Sequence, residues 1–197
     1  MYMGYIRGNV GHSDIQHRIA RVVADVLREQ YPEHHDSLCH ASAVLGANLA
    51  ALRLGGEYRP VAGLAVIDSG AGRLLFMTDN EAFRSRIGGA YHCWIESVPQ
   101  DPDERVLIDL MFGSNAAFAR KNRLPWSDEP TPAFVWGRFH DLVPDVDLED
   151  LRPGFGKHRI WVRETEAGRN WMARHCEAHQ NGYVELTARA LRRFDAG

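Results

Sequence analysis

Between residues 13 and 30 the apolar positions Ile15, Ile19, Val22, Val23 and Val26 recur at the period of a helix that turns one face to a core. Ser13 stands three residues before Gln16, in the spacing of a capping box, and predicts the start of that helix. After the polar turn YPEHHDS, a second apolar face runs through Ala41, Val44, Leu45, Leu49 and Leu52, with Asp36 or Ser37 as the expected cap. Ala43, Gly46, Ala47 and Ala50 are small enough to let this helix lie close against a sheet, and Gly55–Gly56 predicts its C-terminal cap. The pattern then changes to β-rich runs. EYRPVAGLAVIDSGAGRLLFMTD reads as two strands about a Gly-rich reversal at 68–72, and a short helix is expected at 80–87. AYHCWIESV and RVLIDLMF form an antiparallel pair across the turn PQDPDE. Beyond residue 113 the pattern predicts a Pro-punctuated region to about 153 with a strand at 133–136, then helices at 164–179 and 183–194. No repeat or linker interrupts the 197 residues, so one α+β domain over 1–197 is expected.

Alternation within the paired strands brings chemistry into view. His92, Trp94 and Glu96 share one face, with Tyr91, Cys93 and Ile95 on the other. A hairpin symmetric about residues 100 and 101 sets His92 directly opposite Asp109, whereas a one-residue slip would put them on opposite faces. An aspartate within VLIDLMF needs a partner if it is buried, and an imidazole across the strand supplies one. Cys39 begins the second helix, where unpaired N–H groups and the helix dipole favour a thiolate. Packed on that sheet, Cys39, His92 and Asp109 read as nucleophile, general base and the group that fixes the base's tautomer.

Four elements in order, C39HASAVLGANLAALRLG, EYRPVAG, YHCWIE and VLIDLMF, resemble the core of transglutaminase-like proteins within the papain-like cysteine fold. They match that core's cysteine-headed helix, LG-x-x-x-R-x-V-x-G strand entry, H-x-W-x-E strand and V-x-x-D element over residues 37–112. The resemblance implies a nucleophile helix packed on an antiparallel sheet; residues 113–197 have no counterpart in it and are expected as a helical extension over the cleft. It implies that Cys39 is the nucleophile, His92 the base and Asp109 the orienting acid, with Trp94 beside the site; Trp94 and His40 are the expected substrate-binding residues. The reaction it implies is thiol-dependent acyl chemistry, either peptide or amide hydrolysis or acyl transfer, and fold alone does not choose between them. Where papain-type peptidases carry an oxyanion-hole glutamine this chain has PEHHDS, which leaves His34, His35 or backbone donors for that role.

Composition narrows the partners. A formal net charge of -3 with interspersed signs offers no basic stripe for nucleic acid and no polybasic membrane patch, so a small-molecule or peptide substrate is expected. The first residues lack the features of a signal or transit peptide, and no apolar run reaches membrane-spanning length, which predicts a cytoplasmic protein. Three irregularly spaced cysteines read as reduced thiols, Cys93 and Cys176 among them, rather than a disulfide framework or a paired-cysteine zinc site. No cofactor and no metal are expected. Two other readings stand beside the acyl enzyme. One is a non-catalytic binding module on the same fold; the other is a metal-dependent hydrolase built on His34, His35, Asp36, Cys39 and His40.

Overall fold

A computed structural model describes residues 10–77, 91–156 and 158–197. The first apolar stripe forms α1 (Val10–Gln30), whose Ile19, Val22, Val23, Val26 and Leu27 are buried. Its helical conformation already includes Val10, so Ser13 lies within the first turn instead of capping it. The second stripe forms α2 (Cys39–Leu54), with an unbroken buried run from Ala41 to Ala47. Neither Asp36 nor Ser37 caps it: a short 3₁₀ turn, His35–Ser37, precedes the helix, Leu38 stands at the cap, and the Ser37 hydroxyl donates to the His34 carbonyl. Gly55, at φ 74°, ends α2 in a left-handed conformation open to a residue without Cβ.

The described strands form an antiparallel six-stranded sheet with β1 (Tyr58–Asp68) at its centre. β2 (Leu74–Met77) returns along the end of β1 after the Gly-rich reversal, where the Asp68 carboxylate accepts from Gly70 N and reaches across to Gly154 N. β3 (His92–Ser97) pairs with the first half of β1, and β4 (Val106–Asp109) pairs with β3. β5 (Val135–Arg138) follows β4 in the sheet, and β6 (Ile160–Glu164) lies along the second half of β1. The helix expected at 80–87 falls outside the described residues.

The β3–β4 register corrects the symmetric hairpin. Ile95 faces Ile108 and Glu96 faces Leu107, two residues away from a reversal centred on 100 and 101. The cause is the connection: Asp101 caps a 3₁₀ turn at Pro102–Glu104, and the Ser97 hydroxyl accepts from Val106 N. This moves the reversal toward β4. A shift of two keeps every side chain on its expected face, since the side-chain period of a strand is two.

Beyond the sheet's core strands come α3 (Ser114–Lys121), the single-turn α4 (Phe139–Leu142), α5 (Glu166–Ala178) and α6 (Gln180–Ala196). α1, α2, α5 and α6 cover one sheet face, burying Ala62, Cys93, Ile95 and Ile108 beneath them. The other face carries Val61, Ile67, Trp94, Leu107 and Phe112 under Trp126, Phe139 and Leu142 of the long connection from β4 to β6. Close approach of helices to strands depends on small residues. A Cβ on Gly46 would lie 2.5 Å from Leu110 Cδ1 and 2.7 Å from Ile95 Cδ1, and one on Gly168 of α5 would strike the Ala62 carbonyl. Among the described residues, no helix is long and apolar enough to cross a membrane.

Candidate active site

His92 opens β3 on the face shared with Val61 and Trp94, is 3% exposed, and sits opposite Gly63 of β1. Asp109 closes β4 at 1% exposure, its backbone paired with Val135. With the two-residue shift the pair meets diagonally: His92 Nε2 lies 2.8 Å from Asp109 Oδ2. An ionised carboxylate only accepts, so Nε2 carries the proton and Nδ1 keeps its lone pair while the ring is neutral. Asp109 Oδ1 accepts from Met111 N at 2.8 Å, which fixes the carboxylate in turn. Burial alone would lower the imidazole pKa. The charge and hydrogen bond of Asp109, with the Cys39 thiolate, outweigh it and hold His92 above its ordinary value.

Cys39 is the first residue of α2 and is partly exposed. The helix has no side-chain cap, so its first N–H groups are left for other partners. The thiol pKa is pulled well below its ordinary value, first by a hydrogen bond from the Cys93 thiol, which outweighs burial, then by His40 and the positive charge of His92. His92 therefore acts on Cys39 through charge, whereas Cys93 and then His40 act through side-chain hydrogen bonding. That follows from the layering: Cys93 points to the face that α2 covers, and His92 to the opposite one. Cys93 itself is held well above the ordinary thiol range by burial and by the thiolate beside it.

His40 turns toward α5 and α6. Its ring lies 4.7 Å from that of His175 and edge-on to Trp171 at 5.8 Å, while Trp171 and His175 stack at 4.9 Å. The His179 ring lies 4.5 Å from that of His175, and a 2.9 Å hydrogen bond joins His175 Nε2 to the Tyr183 hydroxyl. Burial, with His40 and His179 nearby, pushes the His175 pKa down to about 4, so its ring is neutral at neutral pH. Tyr31, Leu38, His40, His179 and Tyr183 line a cavity of about 220 Å³ beside the start of α2. Sequence reading singled out His40 but missed its partners. The spacing of His175 and His179, four apart at the C-terminal end of α5, was the available signal.

The remaining residues lie elsewhere. Trp94 is 1% exposed, with its indole N–H donated to Glu96 Oε1 at 2.8 Å, so its surface is taken up by the core. His34 is exposed, and His35 Nδ1 donates to the Pro32 carbonyl at 3.0 Å. Among the described residues, no group of three or more His, Cys, Asp or Glu side chains is arranged to hold a metal ion.

No family model and no curated protein matches this sequence. Among solved structures, one described as "The crystal structure of genomics APC5867" is similar, with a TM-score of 0.63 and 18% identity over 98% of this chain and 82% of that chain. The likeness is one of fold: the two backbones share an α+β course along nearly the whole of this sequence.

Proposed function

We propose that the protein is a thiol-dependent acyl enzyme on a papain/transglutaminase-like fold, with Cys39 as nucleophile, His92 as acid and base, and Asp109 as the group that orients His92. The observation that carries this reading is the buried 2.8 Å contact between His92 Nε2 and Asp109, together with a thiol of lowered pKa at a helix N-terminus on which the charge of His92 acts. The Cys39 thiolate attacks a carbonyl carbon of a small-molecule or peptide substrate, and the C=O π pair moves to oxygen. Uncapped N–H groups of the first turn of α2 receive that oxyanion. The protonated His92 ring gives its Nδ1 proton to the leaving group as the tetrahedral species collapses to an acyl-thioester. Water or an amine then attacks the thioester, losing a proton to His92, and Cys39 leaves as thiolate. Asp109 keeps the ring in one tautomer throughout and stabilises its charged form. No step calls on a cofactor or metal.

An acyl-electrophile probe, an activated ester with a fluorescent acyl group, tests the reading. The wild-type protein is expected to acquire one acyl group on Cys39 that hydroxylamine removes, and Cys39→Ser to acquire none. Equal slow labelling of the two proteins would instead identify a binding module with an idle thiol.

A further inference from the structure

The cavity of about 220 Å³ lies where four helix ends meet. Tyr31 enters its wall from the end of α1, Leu38 and His40 from the start of α2, His175 from α5, and Tyr183 and Leu186 from α6. These walls hold one another in place. The His175 ring stacks on Trp171 at 4.9 Å, lies 4.7 Å from the His40 ring and 4.5 Å from that of His179, and is joined to the Tyr183 hydroxyl at 2.9 Å. α2, α5 and α6 are pinned together by this cluster, so the space is formed before any molecule enters it. Among the described residues, none of the side chains that line it is Asp, Glu, Lys or Arg. Burial and the neighbouring imidazoles of His40 and His179 keep His175 itself uncharged at neutral pH.

We infer that this cavity is a binding site for a small uncharged aromatic molecule, a single ring that carries one short hydrogen-bonding group. Size sets the first limit. An apolar cavity of about 150 Å³ holds benzene, so the larger volume here takes a ring with a substituent of a few atoms and leaves no room for a peptide. The walls set the second. Rings of Tyr31, His40, His175, His179 and Tyr183 offer faces and edges to a planar guest, and Leu38 and Leu186 add apolar contact. Charge sets the third, because an ionised ligand would give up its hydration here with no fixed opposite charge to meet it. One polar position remains: a hydroxyl bonded to one partner keeps capacity for another, which leaves the Tyr183 oxygen to hold the ligand's substituent.

The inference concerns binding alone, so it stands or falls apart from any chemistry at Cys39. The full chain is titrated with benzamide, with benzoate and with cyclohexanecarboxamide, and the shifts of its backbone amides are followed by nuclear magnetic resonance. Benzamide is expected to saturate, to shift amides within residues 38–41 and 175–186, and to bind at least about tenfold more tightly than benzoate, its charged counterpart of similar shape. Cyclohexanecarboxamide, which lacks the planar ring, is expected to bind more weakly than benzamide. Gly182 is exposed and lines the cavity, and a Cβ there meets no atom within 4 Å, so a large side chain is accommodated without collision. Gly182→Phe is expected to weaken benzamide binding by at least about tenfold, and Val184→Phe, which adds bulk at an exposed position of α6 outside the cavity, to leave it unchanged. Shifts that rise without saturation, saturation that maps elsewhere, benzoate or cyclohexanecarboxamide bound as tightly as benzamide, or Gly182→Phe binding as the wild type does would each overturn the inference.

Discussion

Asp109 has both carboxylate oxygens engaged, one by His92 Nε2 and one by Met111 N, at 1% exposure. A group held this way does not wander, and its charge is little screened by water. Asparagine is nearly isosteric and could still accept from Met111, but it carries no charge to favour the imidazolium. Asp109→Asn is therefore expected to lower kcat for acyl transfer from an activated ester by at least about 10²-fold with little change in KM, while the far-ultraviolet circular dichroism stays that of the wild type. At this scale the sequence was informative about types and faces. Alternation placed His92 and Asp109 on one side, and the costs of burying a carboxylate called for a partner. It also put Cys93 on the face away from His92, and that is the face α2 covers. The contact with Cys39 was hidden because the packing side of a helix is a tertiary fact, not a local one.

At the scale of elements, the periodic segments were legible and the irregular ones were not. The two N-terminal helices, the β1–β2 hairpin and the two C-terminal helices follow from patterns of period 3.6 or 2. β6 and α3 did not: IWVRE is a five-residue run next to a helical pattern, and SNAAFARK is too short and polar for periodicity to single out. The β3–β4 register slipped by two because a 3₁₀ turn in the connection, unlike a simple loop, consumes residues unevenly. The approach of α5 to β1 shows what an element interface demands. Gly168 is the third residue of α5, and a Cβ there meets the Ala62 carbonyl, a backbone atom that cannot rotate away. Gly168→Ala, which would favour an isolated helix, is expected here to destabilise the protein by about 1–3 kcal/mol in urea denaturation. A stabilising effect would show that α5 docks differently.

Across the whole molecule, a polar clasp ties the sheet together beside the site. Arg59 of β1 donates to Glu96 of β3 and Glu164 of β6, each at 2.8 Å, and Arg169 of α5 donates to Glu164 at 2.9 Å. Glu96 is 4% exposed, so removing its cation leaves a buried carboxylate with the Trp94 N–H as its remaining close donor, Arg105 being 3.9 Å away. Arg59→Ala is expected to cost about 2–4 kcal/mol by denaturant titration. Arg28→Ala, which breaks an exposed pair with Asp25, is expected to cost under about 0.5 kcal/mol. Comparable losses in both would mean that burial does not set the strength of these pairs.

The proposed chemistry depends on the ionisation of one sulfur in the field of one imidazole. The pH dependence of Cys39 alkylation by iodoacetamide, followed in wild type and His92→Ala with Cys176 replaced by serine in both, measures it directly. The wild-type rate is expected to stay high well below the ordinary thiol pKa and to fall only when Cys39 protonates at its lowered value, and loss of the imidazolium charge in His92→Ala should move that fall to higher pH. A wild-type profile centred on an ordinary thiol pKa, or one that His92→Ala leaves unmoved, would contradict the account.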